Sequence, residues 1–368
     1  MPAIDRRLIQ NFEWPLVGLL LALSLIGVVN LISAAPETAD WFPATAKRQF
    51  YMLALGLLGL LISLVPDYRS LERYAIPIYL LCVALLVAVL VVGPVINGSQ
   101  RWIVAGPLRL QPSEPLKLGL AILFARLLAR QDTRSELGLL ELVKPALLFA
   151  IPAVLVLRQP DLGTTMLLAL LAGTFLLVAR VRFSTLLWLG AAGMAGVSVA
   201  WFFYLHDYQK ERVLTFLSPE RDPLGTAYHA IQSQIAVGSG GFLGKGFRRG
   251  PQSQLDFVPE QQTDFVFSVL AEEWGFVGAA FVMLLYLGFI VRGLMIARAS
   301  KDLFGAYLGV GVCAIFFWGG FINVGMVLGV LPVVGVPLPL LSYGGSSLLT
   351  CLIGTGLLMN ISMRRYIF

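Results

Sequence analysis

The apolar residues of this 368-residue chain do not alternate with polar ones; they run in long blocks broken by short polar or Pro- and Gly-rich stretches. Blocks of about 20 apolar residues match the roughly 30 Å hydrocarbon thickness of a bilayer at a rise of about 1.5 Å per residue. Lipid accepts only segments whose backbone groups are satisfied internally, so each block is predicted to be a helix. Ten such spans are predicted, at about 15–34, 47–65, 74–94, 112–131, 142–158, 160–179, 184–205, 265–292, 303–330 and 340–362. The expected fold is an all-α integral membrane protein, a single polytopic domain over 1–368 with one long loop, 206–263, between the seventh and eighth helices.

Composition agrees with that pattern: 58% of residues are hydrophobic and 13% charged, against roughly 25% charged in a soluble domain. In a soluble chain the net charge of +6 would suggest nucleic acid; here it is read by membrane side, and no nucleic-acid partner is expected. One side collects fifteen Lys and Arg, the short loops of the other only five: Lys47, Arg48, Arg101, Arg109 and Arg158. The long loop is exempt, because long segments translocate largely regardless of charge. Both termini are thereby predicted cytoplasmic and the 206–263 loop extracytoplasmic. The apolar run after Arg6 and Arg7 is too long for a cleavable signal and should stay as the first anchor. Cys82, Cys313 and Cys351 lie far apart in apolar segments and suggest neither a disulfide framework nor a zinc site.

Every uncommon polar motif falls on the outward side: GSQRWIVAGPLRLQPSEPLK (98–117), RQPDLGTT (158–165), the long loop, and LPVVGVPLPLLSYGGSS (331–347). Irregular backbone is tolerated at membrane depth only where it is buried in protein or lines a watery cavity, so one shared outward cavity is predicted. Asp264 stands where the long loop enters the eighth span, and a carboxylate at that border must stay wet or be paired. Thr263 is placed to cap the helix, leaving Asp264 in its first turn; a dipole role is the plain alternative to a catalytic one. Glu272 lies about 12 Å further along the axis, too far to pair with it.

Glu114 and Lys117, three apart at the start of the fourth span, share a helix face. They are either an ion pair that permits burial or part of a functional cavity. Asp161 follows Pro160 at the start of the sixth span, where an ordinary helix-terminal carboxylate is the plain reading. Arg48 and Arg101 flank outer spans as interfacial anchors or cavity cations. Lys245 lies in GSGGFLGKGFRRG (238–250), whose glycines and cations could approach phosphate oxygens. The stretch fails the phosphate-loop pattern, because Gly246 follows Lys245 where Ser or Thr is required. His206 and His229 lack metal-ligand spacing, and no compact metal motif is present.

Together QRW…QPSE..K, QPDLGT, the run from HDYQKERVLTFL to GKGF, PEQQTDFVFSVLAEEWG and LPVVGVPLPLLSYGGSS resemble the SEDS (shape, elongation, division and sporulation) family over essentially the whole chain. The HDYQ start and GKGF continuation resemble its rod-shape branch more than its division branch. The resemblance implies a ten-helix peptidoglycan glycosyltransferase of the bacterial cytoplasmic membrane. It would polymerise lipid II, an undecaprenyl-pyrophosphate disaccharide-pentapeptide, on the outer face. A class B penicillin-binding protein would dock on helices 8 and 9, where Gly309, Gly311, Gly319 and Gly320 could permit close helix contact, although packing within the chain explains those glycines at least as well.

Carried over by motif, Asp264 is the essential aspartate. Glu114, Lys117, Arg101 and Asp161 match the other family positions, and Arg48 and Lys245 join them as candidate substrate-binding cations. Gln262 stands where relatives commonly have His, so a histidine relay is not expected. The implied chemistry is inverting: one carboxylate takes the acceptor proton while cations stabilise the departing pyrophosphate. A divalent cation, Mg or Mn, would assist near the carboxylates. Two competing classes are a lipid II flippase and a structural hub of the elongation machinery. A flippase needs polar residues along a route through both leaflets, whereas the deep polar residues here gather toward one side.

Overall fold

The protein is described by a computed structural model covering residues 12–35, 41–96, 99–106, 108–131, 136–218, 227–258 and 260–365. All ten predicted spans are helical. They are α1 (Trp14–Ser33), α2 (Ala44–Leu64), α3 (Tyr68–Val92), α4 (Ser113–Ala129), α5 (Leu139–Arg158), α6 (Leu162–Val178) and α7 (Phe183–Val199), which continues as a π-turn to Tyr204. After the long loop come α11 (Val266–Arg298), α12 (Leu303–Val327) and α13 (Gly345–Arg364). The loop contributes α8 (Asp207–Leu217), α9 (Tyr228–Ser239) and the single turn α10 (Pro251–Gln254), and a hairpin of β1 (Ile103–Ala105) with β2 (Leu108–Leu110) precedes α4. Among the described residues eight helices are long and apolar enough to cross a membrane; the remaining two predicted spans, α4 and α6, have 17 residues each. This is a multi-pass membrane protein.

Burial orders the bundle. The apolar window of α13 is 83% buried inside the chain and that of α12 67%, whereas the helix from Phe183 to Tyr204 is 0% buried and lies at the edge. Close packing around the centre relies on glycine: a Cβ on Gly56 would meet the Leu352 side chain at 2.1 Å, and one on Gly311 would meet the Phe175 ring at 2.7 Å. Of the two roles open to the glycines of α12, partner contact and packing within the chain, the second holds: Gly309 lies against Ala297, Gly319 against Pro339 and Gly320 against Tyr286. At one end of the bundle Glu13 receives Arg292 (2.7 Å) and Ser362 (2.9 Å), so the start of α1 is tied to the ends of α11 and α13. Asn360 and Arg364 satisfy the carbonyls that end α2. That arginine-rich end is the one predicted cytoplasmic.

Two predicted boundaries move. The tenth span begins at Gly345 rather than near residue 340, because 331–344 folds into the bundle as irregular chain with Leu338, Leu340 and Leu341 buried. Two glycines admit its backbone: a Cβ on Gly27 would lie 2.7 Å from Leu340 O, and one on Gly163 2.5 Å from Val334 O. The eighth span extends to Arg298 and is interrupted at Gly275, whose φ of 65° only glycine adopts readily. A break in a helix orphans backbone groups that must find partners elsewhere. The long loop supplies them: Lys245 N and Gly246 N donate to Glu272 O and Glu273 O, while Phe276 N and Val277 N donate to Gly241 O and Phe242 O.

Candidate active site

Asp264 sits two residues before α11 in a turn closed by Asp264 N donating to Glu260 O. Thr263 does not cap α11, as its hydroxyl turns back to Glu260 Oε2 at 3.0 Å. The predicted cap is replaced by tertiary bonds. Buried Asn323 of α12 donates through one nitrogen to both Asp264 O (2.8 Å) and Val336 O (2.7 Å), and Asn30 of α1 donates to Val266 O (2.8 Å). Among the described residues no donor hydrogen-bonds the Asp264 carboxylate; its Oδ2 faces Gly335, where a Cβ would come within 3.3 Å. The residue keeps some accessible surface, yet protein fills most of its surroundings. That burial pushes its carboxyl up to about 6. Glu260 adds to the rise, Arg212 opposes it, and Asp161 and Arg101 act more weakly, upward and downward respectively.

The acidic partner of this region is Asp161, 5% exposed, which caps α6 by accepting Thr164 N and Thr164 Oγ1, each at 3.0 Å. It also accepts Gln111 Nε2 at 3.4 Å and pairs with Arg101 at 3.7 Å. Arg101 is locked by two further bonds, to Gln159 O (2.8 Å) and Pro160 O (2.6 Å), so its guanidinium is fixed before any ligand arrives. Gln209 of α8 reaches the same Pro160 carbonyl at 3.3 Å, which brings the loop helix, and with it Arg212 one turn later, to this end of the bundle.

Glu114 and Lys117 form a 2.7 Å ion pair, 4% and 6% exposed. They join the Asp264 region through a relay of hydrogen bonds rather than by contact. Ser342 Oγ donates to Thr263 O (2.6 Å) and Tyr343 N to Gln262 O (2.8 Å). Three residues after Tyr343, Ser346 Oγ accepts Gln111 N (3.0 Å), and Glu114 N donates to Gln111 O (3.0 Å). Gln49 of α2 pins the middle of the relay, bonding Ser342 O at 3.0 Å and accepting Gly344 N at 3.3 Å. The 331–344 segment and the first turn of α13 thus tie the Asp264 turn to the start of α4.

Arg48 is exposed at the start of α2, and among the described residues no ion pair holds it. Lys245 is directed elsewhere: its Nζ bonds Ser239 Oγ (2.6 Å) and the fully buried Glu272 (2.9 Å), an anchor of the loop on α11. The glycines around it serve the splice into α11; a Cβ on Gly244 would lie 2.1 Å from Glu273 O. Among the described residues no group of three or more His, Cys, Asp or Glu could hold a metal ion.

The family described as cell cycle protein, comprising FtsW, RodA and SpoVE, matches residues 13–367. The chain belongs to the FtsW/RodA/SpoVE family. It is 42% identical to the peptidoglycan glycosyltransferase MrdB of Escherichia coli K12 over 352 residues, 94% of this chain and 92% of that protein. It is 36% identical to stage V sporulation protein E of Bacillus subtilis over 94% of this chain and 96% of the relative. Among solved structures, one concerned with coordination of polymerization and crosslinking by a peptidoglycan synthase complex matches with a TM-score of 0.82 and 35% identity, over 97% of this chain and 99% of that one. The rod shape determining protein RodA of Thermus thermophilus matches with a TM-score of 0.72 and 32% identity, over 97% and 98%.

Within this family member several functional-site residues escaped sequence reasoning. Asn323, Asn30 and Gln49 lie inside apolar spans, and the only signal they carried was a polar amide in a lipid-compatible block, which must find a partner. Arg212 stood among the ordinary charges of a loop; only the seating of α8 on Pro160 brings it near Asp264.

Proposed function

We propose that the protein is a peptidoglycan glycosyltransferase that polymerises lipid II at the outer face of the bacterial cytoplasmic membrane. The observation that carries this reading is a partly buried carboxylate, Asp264, within electrostatic reach of the pre-fixed Arg101–Asp161 ion pair, at the end of the bundle away from the arginine-rich one. Relatives named peptidoglycan glycosyltransferase support the reaction class. In the reaction Asp264 takes the proton of the acceptor 4-hydroxyl as that oxygen attacks the donor anomeric carbon. The bond from that carbon to the pyrophosphate breaks, the bonding pair leaves with the pyrophosphate, and configuration inverts. General-base help of this kind is worth about 10²–10⁴ in rate. Arg101 and Lys117 stabilise the negative charge that the leaving group gains, with Glu114 orienting Lys117 and Arg48 meeting the substrate at the rim.

A divalent cation fits only as a shared ion. With no three-ligand cluster among the described residues, it would be held by Asp264 or Asp161 and by pyrophosphate oxygens, the usual way magnesium is bound, and would screen the leaving-group charge. The partner is a class B penicillin-binding protein. It would use the outer faces of α11 and α12, where Phe281, Leu284, Leu287, Phe317 and Phe321 are exposed, since the glycines point inward. Product analysis tests the reading: the purified full-length protein, given lipid II in liposomes, should yield glycan chains. Lipid II moved between leaflets but chemically unaltered would identify a transporter instead.

A further inference from the structure

The interruption of α11 at Gly275 divides the helix into a short inner piece, 266–274, and a long outer piece, and Asp264 stands two residues before the short one. The short piece is gripped on both sides of its end. Its last carbonyls, on Glu272 and Glu273, accept Lys245 N at 3.1 Å and Gly246 N at 2.9 Å. The side chains of the same two residues grip the loop in return. Glu272 accepts Lys245 Nζ (2.9 Å), Gln252 N (3.0 Å) and Ser253 N (3.1 Å), and Glu273 accepts Arg248 N (3.1 Å) together with the hydroxyl of Ser33 on α1. Glu272 has no solvent-exposed surface, so its charge is tolerable only while these donors stay in place.

A helix that slips by one residue advances about 1.5 Å and turns about 100°. A slip of the short piece would break all of these bonds at once, and the glycines allow no looser seat: a Cβ on Gly240 would lie 2.1 Å from Ala271 O. Displacing a reacting group by about 1 Å costs on the order of 10² in rate.

We propose that Lys245 and Glu272 are positioning residues for Asp264: their ion pair and the glycine splice around it lock the register and rotation of the half-helix that follows the base. In this role Lys245 does not touch the pyrophosphate. The proposal rests on the reading of Asp264 as the base.

The test compares full-length Lys245→Met, Lys245→Arg and Asp264→Asn in lipid II polymerisation. Lys245→Met should lower kcat at least ten-fold with KM for lipid II within two-fold. The acid limb of its kcat/KM–pH profile should move from about 6 toward the ordinary carboxylate range as the half-helix loosens toward water. Lys245→Arg, which keeps the charge on Glu272, should recover most of kcat. A ten-fold rise in KM with kcat intact would assign Lys245 to substrate and overturn the proposal. So would unchanged kcat per folded molecule with only a lower melting temperature. Where Lys245→Met does not fold, Lys245→Gln, which keeps a donor for Glu272, carries the same comparison. An active Asp264→Asn would remove the base reading and this inference together, whereas an inactive Asp264→Asn beside a fully active Lys245→Met would remove this inference alone.

Discussion

Replacing Asp264 by Asn keeps the shape of the side chain and removes its charge, and the surroundings of Asp264 set opposite consequences for rate and stability. Burial raises the carboxyl from 3.8 to about 6. At about 1.4 kcal/mol per pK unit, an ionised carboxylate there costs the fold about 3 kcal/mol at pH 7, and toward 1 kcal/mol where the accessible part of the side chain is solvated. The folded chain binds this proton more tightly than the unfolded one. Stability is therefore complete below the ordinary aspartate range and is lost as pH rises through about 6. Activity runs the other way, since a base must be ionised to act. With the carboxyl of the free protein at about 6, the ionised fraction is about 0.9 at pH 7 and about 0.1 at pH 5, a ten-fold fall in kcat/KM. Asp264→Asn should thus lose about 10²–10⁴ in polymerisation rate and unfold at a higher temperature than the parent protein at pH 7. Lipid II polymerisation resolved on gels, with thermal unfolding of the same preparation followed by intrinsic fluorescence, reads both. Near-normal turnover would refute the base role, and a lowered unfolding temperature would refute the account of burial.

Lys117→Met should abolish activity and destabilise the protein by about 3–5 kcal/mol by leaving Glu114 charged and buried alone. The double variant Glu114→Gln/Lys117→Met should regain the fold and stay inactive in the same gel assay; restored turnover would show that the pair only permits burial. Arg109→Ala, an exposed hairpin charge, should retain most activity. Arg101→Met removes a cation that favours ionised Asp264, so the acid limb of the kcat/KM–pH profile should move above about 6 and kcat/KM at pH 7 should fall; a limb that moves down would contradict the shared site.

The membrane fold was legible because its signal is local. A block of about 20 apolar residues is forced to be helical by lipid whatever surrounds it, so each predicted block is helical. Asp264 and the Glu114–Lys117 pair were legible for a related reason: an ionisable group inside or beside such a block has few permitted explanations. The plain local explanations fared unevenly. Asp161 does cap its helix and also pairs with Arg101, whereas Thr263 caps nothing and bonds Glu260 instead.

What composition and spacing left undecided depends on partners far away in the chain. The amide of Asn323 supports the Asp264 turn across 59 residues, Gln49 reaches Ser342 across 293, and Ser33 meets Glu273 across 240. The sequence by itself determined which stretches are apolar helices, which lie between them and which carboxylate stands at their border. Only the tertiary structure decided that Lys245 grips Glu272, that Gly275 breaks α11 and that the 331–344 segment with the first turn of α13 bridges the Asp264 turn to α4. The reason is physical. Lipid dictates secondary structure residue by residue, whereas the pairing of buried polar groups is settled only when helices distant in sequence pack and each donor must find whatever acceptor the packing brings to it.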